Sequence, residues 1–186
     1  MMQSPLPLRL GPDTARHAES LIALFSATFT ASEGAREGAL IAGLVRDLLR
    51  RTPPADMQVF CTLEAGEVLA CAIFTPLTYA EDAQRVALLS PMAVTPARQR
   101  QGLGQALLTH ALAELRQEGV DVAITYGDPA FYGRLGFAVM TEAQARAPLP
   151  LSLPHGWLGQ VLQTGGPPCL RGPSRCVPAL NRADIW

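Results

Sequence analysis

The segment from residue 86 to residue 126 constrains the fold of this chain more than any other. A β-rich run, Val86–Val94, leads through a glycine-bearing turn into the helical pattern of Gly102–Glu118, and a second β-rich run, Val120–Tyr126, follows. Gly119 stands where this helix needs a C-cap. A helix of about sixteen residues between two strands has the length of a right-handed crossover. The sequence therefore predicts that the two strands are parallel.

Pro91 lies inside the first of these strands. Proline has no amide hydrogen to donate to a neighbouring strand, so it rarely occurs in the regular part of a central strand. We therefore predict that Val86–Val94 bulges at Pro91 or parts there from a neighbouring strand.

The rest of the chain predicts an antiparallel sheet with further helices. Runs rich in β-branched and aromatic residues predict strands, and apolar residues at helical spacing predict helices. The predicted strands are Pro5–Leu10, Met57–Leu63, Val68–Tyr79, one from Phe137 and a last one around Leu158–Leu162; the predicted helices are Thr14–Phe29, with Asp13 as N-cap, a second over 40–49 and a short one capped by Asp128. The predicted fold is a mixed α/β sandwich, with a mostly antiparallel sheet, one parallel strand pair and helices on both faces.

Length and charge limit the possible functions. The chain has 186 residues, of which 48% are hydrophobic, so we predict one domain over 1–165 and a Pro/Gly-rich tail over 166–186 that packs on it. A net charge of -1 leaves no basic excess for a run of phosphates, which argues against nucleic acid as the main ligand. No window approaches the roughly 18 to 20 apolar residues of a membrane span, so we expect a cytoplasmic protein without a membrane partner.

The cysteines and histidines do not form a recognisable metal motif. His17, His110 and His155 are isolated in the sequence, and no cysteine pair has C-x-x-C spacing, so we predict no metal site. Cys61 and Cys71 are expected as small core residues of adjacent strands. Whether Cys169 and Cys176 pair in the tail is left open by the sequence.

The turn between Val94 and the following helix has the features of an anion site. Free amides and the positive dipole end of a helix N-terminus attract phosphate oxygens, and glycines at 102 and 104 let such a group approach the backbone. Arg98 and Arg100 are expected to add positive charge nearby. A glycine pair at this place is also compatible with plain helix packing, whereas the glycines and lysine of the dinucleotide and P-loop motifs are absent.

Two motifs in this part of the chain resemble those of the GNAT superfamily of N-acetyltransferases. Gln99-x-x-Gly102-x-Gly104 is similar to the family's Q/R-x-x-G-x-G/A signature, and Met92-Ala93-Val94 resembles its cofactor-binding strand. Phe131-Tyr132-Gly133-Arg134-Leu135-Gly136-Phe137 resembles the family's F-Y-x-x-x-G-F segment. The preceding Gly127-Asp128-Pro129-Ala130 looks like the YhbS-like branch, because many other members carry Asn near this Asp. The resemblance covers the order of elements from about residue 6 to residue 140.

The resemblance implies the GNAT fold, in which the two parallel strands splay to form the slot for the cofactor, and it implies acetyl-CoA as co-substrate. The pantetheine would pair with the first strand, the turn would hold the diphosphate, and an amide near Met92 would polarise the thioester carbonyl. Tyr132 would be the general acid at the sulfur. The implied cofactor-binding residues are Met92, Ala93, Val94, Gln99, Arg100, Gln101, Gly102, Leu103, Gly104, Gln105, Asp128 and Phe131.

The acceptor and the general base are not assigned by the sequence. The resemblance implies direct attack by a primary amine in a ternary complex, and the composition favours a small-molecule acceptor. The carboxylates considered as the base are Glu33, Glu37, Glu81 and Asp82, each of which is equally compatible with a solvated surface position. The main alternative is a non-catalytic acyl-CoA-binding sensor, and a nucleotide-binding domain is disfavoured. A homodimer through the tail or a sheet edge is compatible with the sequence.

Overall fold

The structure, a computed structural model, describes residues 5–164 and 169–186, which contain four α-helices and eight strands. The helices are α1 (Ala18–Glu33), α2 (Ala35–Arg51), α3 (Leu103–Gln117) and α4 (Pro129–Tyr132). The strands are β1 (Pro7–Arg9), β2 (Gln58–Glu64), β3 (Glu67–Tyr79), β4 (Val86–Val94), β5 (Val122–Tyr126), β6 (Ala138–Val139), β7 (Trp157–Val161) and β8 (Ser174–Arg175). These bounds agree with the predicted elements to within a few residues at most ends.

The chain divides into two compact units. The first unit contains Met1–Ile73 and Pro91–Ala111, and the second contains Phe74–Ser90 and Leu112–Trp186. Strands β3 and β4 and helix α3 each contribute residues to both units. The predicted boundary between a domain over 1–165 and a tail lies in a segment outside the described residues, so that division stays a prediction.

In the first unit, antiparallel strands and a helical pair form the core. Strand β1 pairs with β2, with Leu8 opposite Cys61, and β2 turns into β3 through Ala65 and Gly66. Both turn residues have positive φ values, 50° and 87°, as a two-residue type I′ hairpin requires. Helices α1 and α2 pack closely, since a Cβ added at Gly38 would lie 2.8 Å from the main-chain oxygen of Ser26.

The prediction that Asp13 caps a helix starting at Thr14 is wrong. Gly11–His17 forms a 3₁₀ helix, and α1 begins only at Ala18. Asp13 is therefore inside a helical turn, where its carboxylate lies 3.5 Å from the guanidinium of Arg16 instead of capping free amides.

The second unit contains the predicted parallel strand pair. Strand β4 pairs with β5 in parallel from Val86 opposite Val122 to Leu89 opposite Thr125, and all eight residues of this register are buried. Strand β7 pairs antiparallel with both β5 and β6. Burial on both faces is typical of parallel strands whose faces are covered. The fold class is thus the predicted one: a mixed α/β protein with a mostly antiparallel sheet, one parallel strand pair and helices around it.

The last residues of the chain are more ordered than their composition predicts. Strand β8 pairs with β3 in the second unit, with Arg175 opposite Thr78. The indole of Trp186 donates to the main-chain oxygen of Leu180 at 2.8 Å and stacks on Tyr126, with ring centroids 6.1 Å apart. An aromatic anchor of this kind leaves no periodic signal in the sequence, so the Pro/Gly-rich composition of the tail does not reveal it.

The cysteines behave as expected where the sequence made a prediction. Cys61 and Cys71 are fully buried, and their thiols are hydrogen-bonded to one another. Burial raises the pKa of the Cys71 thiol, with the bond to Cys61 and its charge acting in the same direction. Cys169 and Cys176 are both free thiols.

Trp186 should contribute measurably to the stability of the second unit. Its side chain is only 7% exposed, so Trp186→Ala removes a buried aromatic ring and is expected to lower the free energy of unfolding by about 3 to 5 kcal/mol. Urea unfolding followed by circular dichroism measures this difference. Leu153→Ala, at a residue 58% exposed, is the matched control and should change stability by less than about 0.5 kcal/mol. Equal stability of the Trp186 variant and the control would show that the tail is not anchored in this way.

Candidate functional site

Strand β4 changes the direction of its main-chain groups near Pro91. The oxygen of Arg85 accepts from the amide of Val122, at the start of the pairing with β5. The amide of Thr95 donates instead to the oxygen of Leu69 in β3. Residues an even number of positions apart in a regular strand point to the same side, so this reversal requires one extra residue in between. An irregularity between Leu89 and Thr95 accounts for the reversal, and this stretch contains Pro91. That the strand bulges at Pro91 or parts there from a neighbour stays a prediction.

Side chains hold the end of β4 where a neighbouring strand would otherwise pair. The main-chain oxygen of Val94 accepts from the hydroxyl of Thr28 in α1 at 3.2 Å and from the amide of the Gln99 side chain at 3.1 Å. Since Thr95 faces β3, the alternation places the main-chain groups of Met92 and Val94 on the side away from β3. This is the orientation that a ligand pairing with the strand backbone needs.

The turn after β4 presents open amides at the start of α3. Gly102 has a φ of 82°, a left-handed conformation, and a Cβ added there would meet nothing within 4 Å. The first helical hydrogen bond runs from the amide of Ala106 to the oxygen of Gly102 at 2.9 Å. The amides of residues 103–105 precede this bond and so have no partner within the helix. This geometry suits an anion, as the sequence predicts.

Arg98 does not have the predicted role of adding charge to the anion site. Its guanidinium is bound to the carboxylate of Glu64, with distances of 2.6 Å and 3.5 Å to the two oxygens, and donates to the side-chain oxygen of Gln101 at 3.1 Å. The carboxylate neutralises the charge, and the three side chains connect the turn to the β2–β3 hairpin. Arg98 therefore braces the turn. Arg100 adopts a positive φ of 59° in the same turn.

The predicted cofactor-binding residues fall into two groups. Met92, Ala93, Val94 and the run 99–105 lie in the first unit, whereas Asp128, Phe131 and the predicted general acid Tyr132 lie in the second. The side chain of Ala93 is buried, so its main chain is the part available to a ligand.

The second group, Asp128, Phe131 and Tyr132, lies at the start of α4 and along it. A carboxylate oxygen of Asp128 accepts from the amide of Ala130 at 2.9 Å, which makes Asp128 the predicted N-cap. The ring of Tyr132 lies edge-on to Phe131 and Phe137, with centroid distances of 5.0 Å and 5.7 Å. It also lies over Gly127, where an added Cβ would be 2.7 Å from a ring carbon. The glycine and the two aromatic rings together fix the plane of the tyrosine.

The hydroxyl of Tyr132 is protonated at neutral pH. Burial raises the pKa of Tyr132, a hydrogen bond with Thr125 lowers it, and the charge of Asp128 raises it. The side chain of Tyr132 is half-buried. A protonated hydroxyl of this kind can act as a proton donor.

Two of the four candidate bases, Asp82 and Glu33, lie in different surroundings. The pKa of Asp82 is lowered, chiefly by the amide of Gln84, and the same carboxylate accepts from the amide of Arg171. The pKa of Glu33 is raised, first by burial and then by the charge of Glu37. A carboxylate with a raised pKa is the better general base near neutral pH.

Thr28 and Thr125 were missed by sequence reasoning. A threonine inside an apolar helix or strand resembles an ordinary core residue. Thr125 follows the apolar run Val122–Ile124 of β5 and precedes the Gly127-Asp128 motif by two positions, which is the signal that could have identified it.

A metal-binding cluster and a membrane-spanning helix are both absent from residues 5–164 and 169–186. These residues contain no cluster of three or more His, Cys, Asp or Glu side chains arranged to hold a metal ion. They also contain no helix with the length and apolar character needed to cross a membrane.

The chain is similar in sequence to an acetyltransferase family and to proteins named as uncharacterized N-acetyltransferases. Residues 55–139 match the family described as an acetyltransferase (GNAT) domain. The chain is 33% identical over 110 residues to the N-acetyltransferase YhbS of Escherichia coli K12, a match that covers 59% of this chain and 65% of YhbS. It is 30% identical over 117 residues to the N-acetyltransferase YjhQ of the same organism, covering 60% of this chain and 64% of YjhQ. The matches span less than two thirds of either relative.

Solved structures share the fold. Escherichia coli YhbS in complex with CoA gives a TM-score of 0.78 at 22% identity, covering 98% of this chain and 95% of that chain. A GNAT acetyltransferase from Brucella melitensis in complex with acetyl-CoA gives a TM-score of 0.66 at 23% identity, covering 93% and 96%. At these identities the likeness establishes the fold.

The brace formed by Glu64 and Arg98 should affect CoA binding through the shape of the turn. Glu64→Leu removes the brace and leaves Arg98 charged, and we expect it to weaken CoA binding about threefold, the effect of a partly exposed ion pair. Calorimetric titration with CoA measures the change. Arg98→Met should give a similar loss, and the double variant should lose little more than either single variant. Tighter binding by Glu64→Leu would instead show that the charge of Arg98 acts directly on the ligand.

Proposed function

We propose that this chain is a GNAT acetyltransferase and that it transfers an acetyl group from acetyl-CoA to a primary amine of a small-molecule acceptor. The observation that carries the proposal is the turn Gln99–Gly104, which leads from an irregular strand into a helix with open N-terminal amides. The relatives support it, because YhbS and the Brucella protein were crystallised with CoA and acetyl-CoA.

The main chain does most of the cofactor binding in this proposal. The amides of residues 103–105 and the positive end of the α3 dipole receive the diphosphate. Gly102 makes room for it, since its surroundings are open, and the main chain at 92–94 pairs with the pantetheine. Arg100 supplies positive charge from the turn. Arg98 supports the turn from behind through Glu64.

The reaction is a direct attack by the amine on the thioester carbonyl. The amide of Met92 stabilises the oxyanion of the tetrahedral intermediate. As this intermediate collapses, the carbon–sulfur bond breaks and Tyr132 gives its proton to the leaving sulfur. A thiol with a pKa of about 8.5 is already a tolerable leaving group, so this proton transfer should contribute about 10²- to 10⁴-fold.

The attacking amine must first lose a proton. For a lysine-like amine this costs roughly 4 to 5 kcal/mol at pH 7, so the enzyme needs a base, a water chain or a weakly basic acceptor. Glu33 is the carboxylate that we favour, because burial and Glu37 raise its pKa towards neutrality. Asp82 is disfavoured because its oxygens bind the amides of Gln84 and Arg171.

The identity of the acceptor depends on side chains that the fold does not dictate, since related folds accept many different amines. A cytoplasmic location and a homodimer also remain predictions. Ternary-complex kinetics with a panel of small amines would identify the acceptor class.

Gly102→Asp should abolish the diphosphate site. The new carboxylate places a negative charge beside the bound phosphates and should weaken acetyl-CoA binding by at least about tenfold, or about 1.4 kcal/mol. Calorimetry with acetyl-CoA measures the affinity. Gly11→Asp is the matched control, because Gly11 also has a positive φ and nothing within 4 Å of an added Cβ. If both variants bind like the wild type, the turn is not the cofactor site.

Tyr132→Phe should slow turnover without weakening cofactor binding. Loss of the proton donor is expected to lower kcat about 10²- to 10⁴-fold and to leave the Kd for acetyl-CoA unchanged. Thiol release in the presence of an accepted amine measures kcat. Full activity of the variant would contradict the assigned role, and acetyl-CoA binding by the wild type without any thiol release would support the acyl-CoA-binding sensor instead.

A further inference from the structure

The main-chain oxygen of Val94 is the point where the end of β4 meets two side chains. It accepts from the hydroxyl of Thr28 at 3.2 Å and from the side-chain amide of Gln99 at 3.1 Å. A carbonyl oxygen has two lone pairs, so these two donors use its whole accepting capacity. A third donor can bind this oxygen only by displacing one of them.

This oxygen lies on the side of β4 where a ligand would pair with the strand. The amide of Thr95 donates to the oxygen of Leu69 in β3, so alternation along the strand directs the main-chain groups of Val94 away from β3. Pantetheine contains amide groups, and an amide N–H pairs with a strand by donating to an outward carbonyl. The oxygen of Val94 is therefore an acceptor that a pantetheine amide would use.

The two donors differ in how easily they can leave the oxygen. Thr28 is a residue of α1 that is only 8% exposed, and displacement would leave its hydroxyl buried without this bond. Gln99 is exposed, so its flexible side chain can exchange the oxygen of Val94 for water at little cost. The side chain of Gln99 is thus the donor that gives way.

We propose that the Gln99 side chain competes with the pantetheine of CoA for the main-chain oxygen of Val94, and that cofactor binding displaces it. This inference rests on the proposed function. It gives the side chain an effect opposite to that of the open amides in the same turn, because the amides attract the diphosphate whereas the side chain opposes the pantetheine. CoA and acetyl-CoA carry the same pantetheine, so the competition lowers the affinity for both.

Gln99→Met keeps the length of the side chain and removes its amide. Because the competitor is absent, we expect CoA and acetyl-CoA to bind about three- to tenfold more tightly, the effect of one exposed hydrogen bond. Isothermal titration calorimetry measures both dissociation constants. The same titration with 3′-phospho-ADP, the part of CoA that has the diphosphate but no pantetheine, should give an unchanged dissociation constant.

Gln163→Met is the matched control. Gln163 is also an exposed glutamine whose side-chain amide donates to main-chain oxygens, those of Arg116 at 2.9 Å and Val120 at 3.0 Å. It lies outside β4 and the turn that follows, so its substitution should leave the dissociation constants of all three ligands unchanged.

Thr28→Val tests the competition at the oxygen itself. With one donor removed, the oxygen of Val94 can accept from Gln99 and from the pantetheine at the same time. Gln99→Met should therefore change CoA binding by less than about twofold in the Thr28→Val background. An equal gain in both backgrounds would overturn the inference, because the effect of Gln99 would then not depend on a shared acceptor.

The remaining outcomes separate this inference from the proposed function. CoA binding that is unchanged or weaker in Gln99→Met would overturn the inference, and a parallel loss of 3′-phospho-ADP binding would assign the side chain to the diphosphate instead. Binding of CoA by the wild type would leave the proposed function intact in these cases. A wild-type protein that binds no CoA would remove the basis of both.

Discussion

The absent amide hydrogen of Pro91 is the constraint on which the arrangement of the candidate site depends. The main-chain groups of the strand change sides between the pairing of Arg85 with Val122 and the bond from Thr95 to Leu69, a stretch in which Pro91 has no donor to give to a ladder. The strand end that follows is held by two side chains, those of Thr28 and Gln99, instead of a strand ladder. The main-chain groups of Met92 and Val94 thereby face away from β3, in an orientation that suits a ligand.

The sequence predicted the features that depend on backbone chemistry. Glycine at 102 and the Asp128 cap each restrict local geometry in a known way, and both act in the structure as expected. The sequence did not predict side-chain contacts between residues that are far apart in the chain. Nothing near Arg98 in the chain indicates that Glu64, 34 residues away, takes its charge, and nothing near Trp186 indicates that it stacks on Tyr126. The prediction that Asp13 is a helix N-cap was wrong for a local reason, because a 3₁₀ helix that begins at Gly11 already includes this residue.

The contrast between backbone and side-chain recognition also explains why the cofactor is easier to infer than the acceptor. A diphosphate is bound by amides that every residue of a helix N-terminus provides, so a turn motif is enough to locate it. An amine must instead be recognised and deprotonated by particular side chains, whose proximity no short motif encodes. Glu33 and Glu37 illustrate the point: they flank Gly34, which has a φ of 97° and separates α1 from α2. Their mutual repulsion adds to burial in raising the pKa of Glu33, an effect that depends on how these two helices fold back on one another.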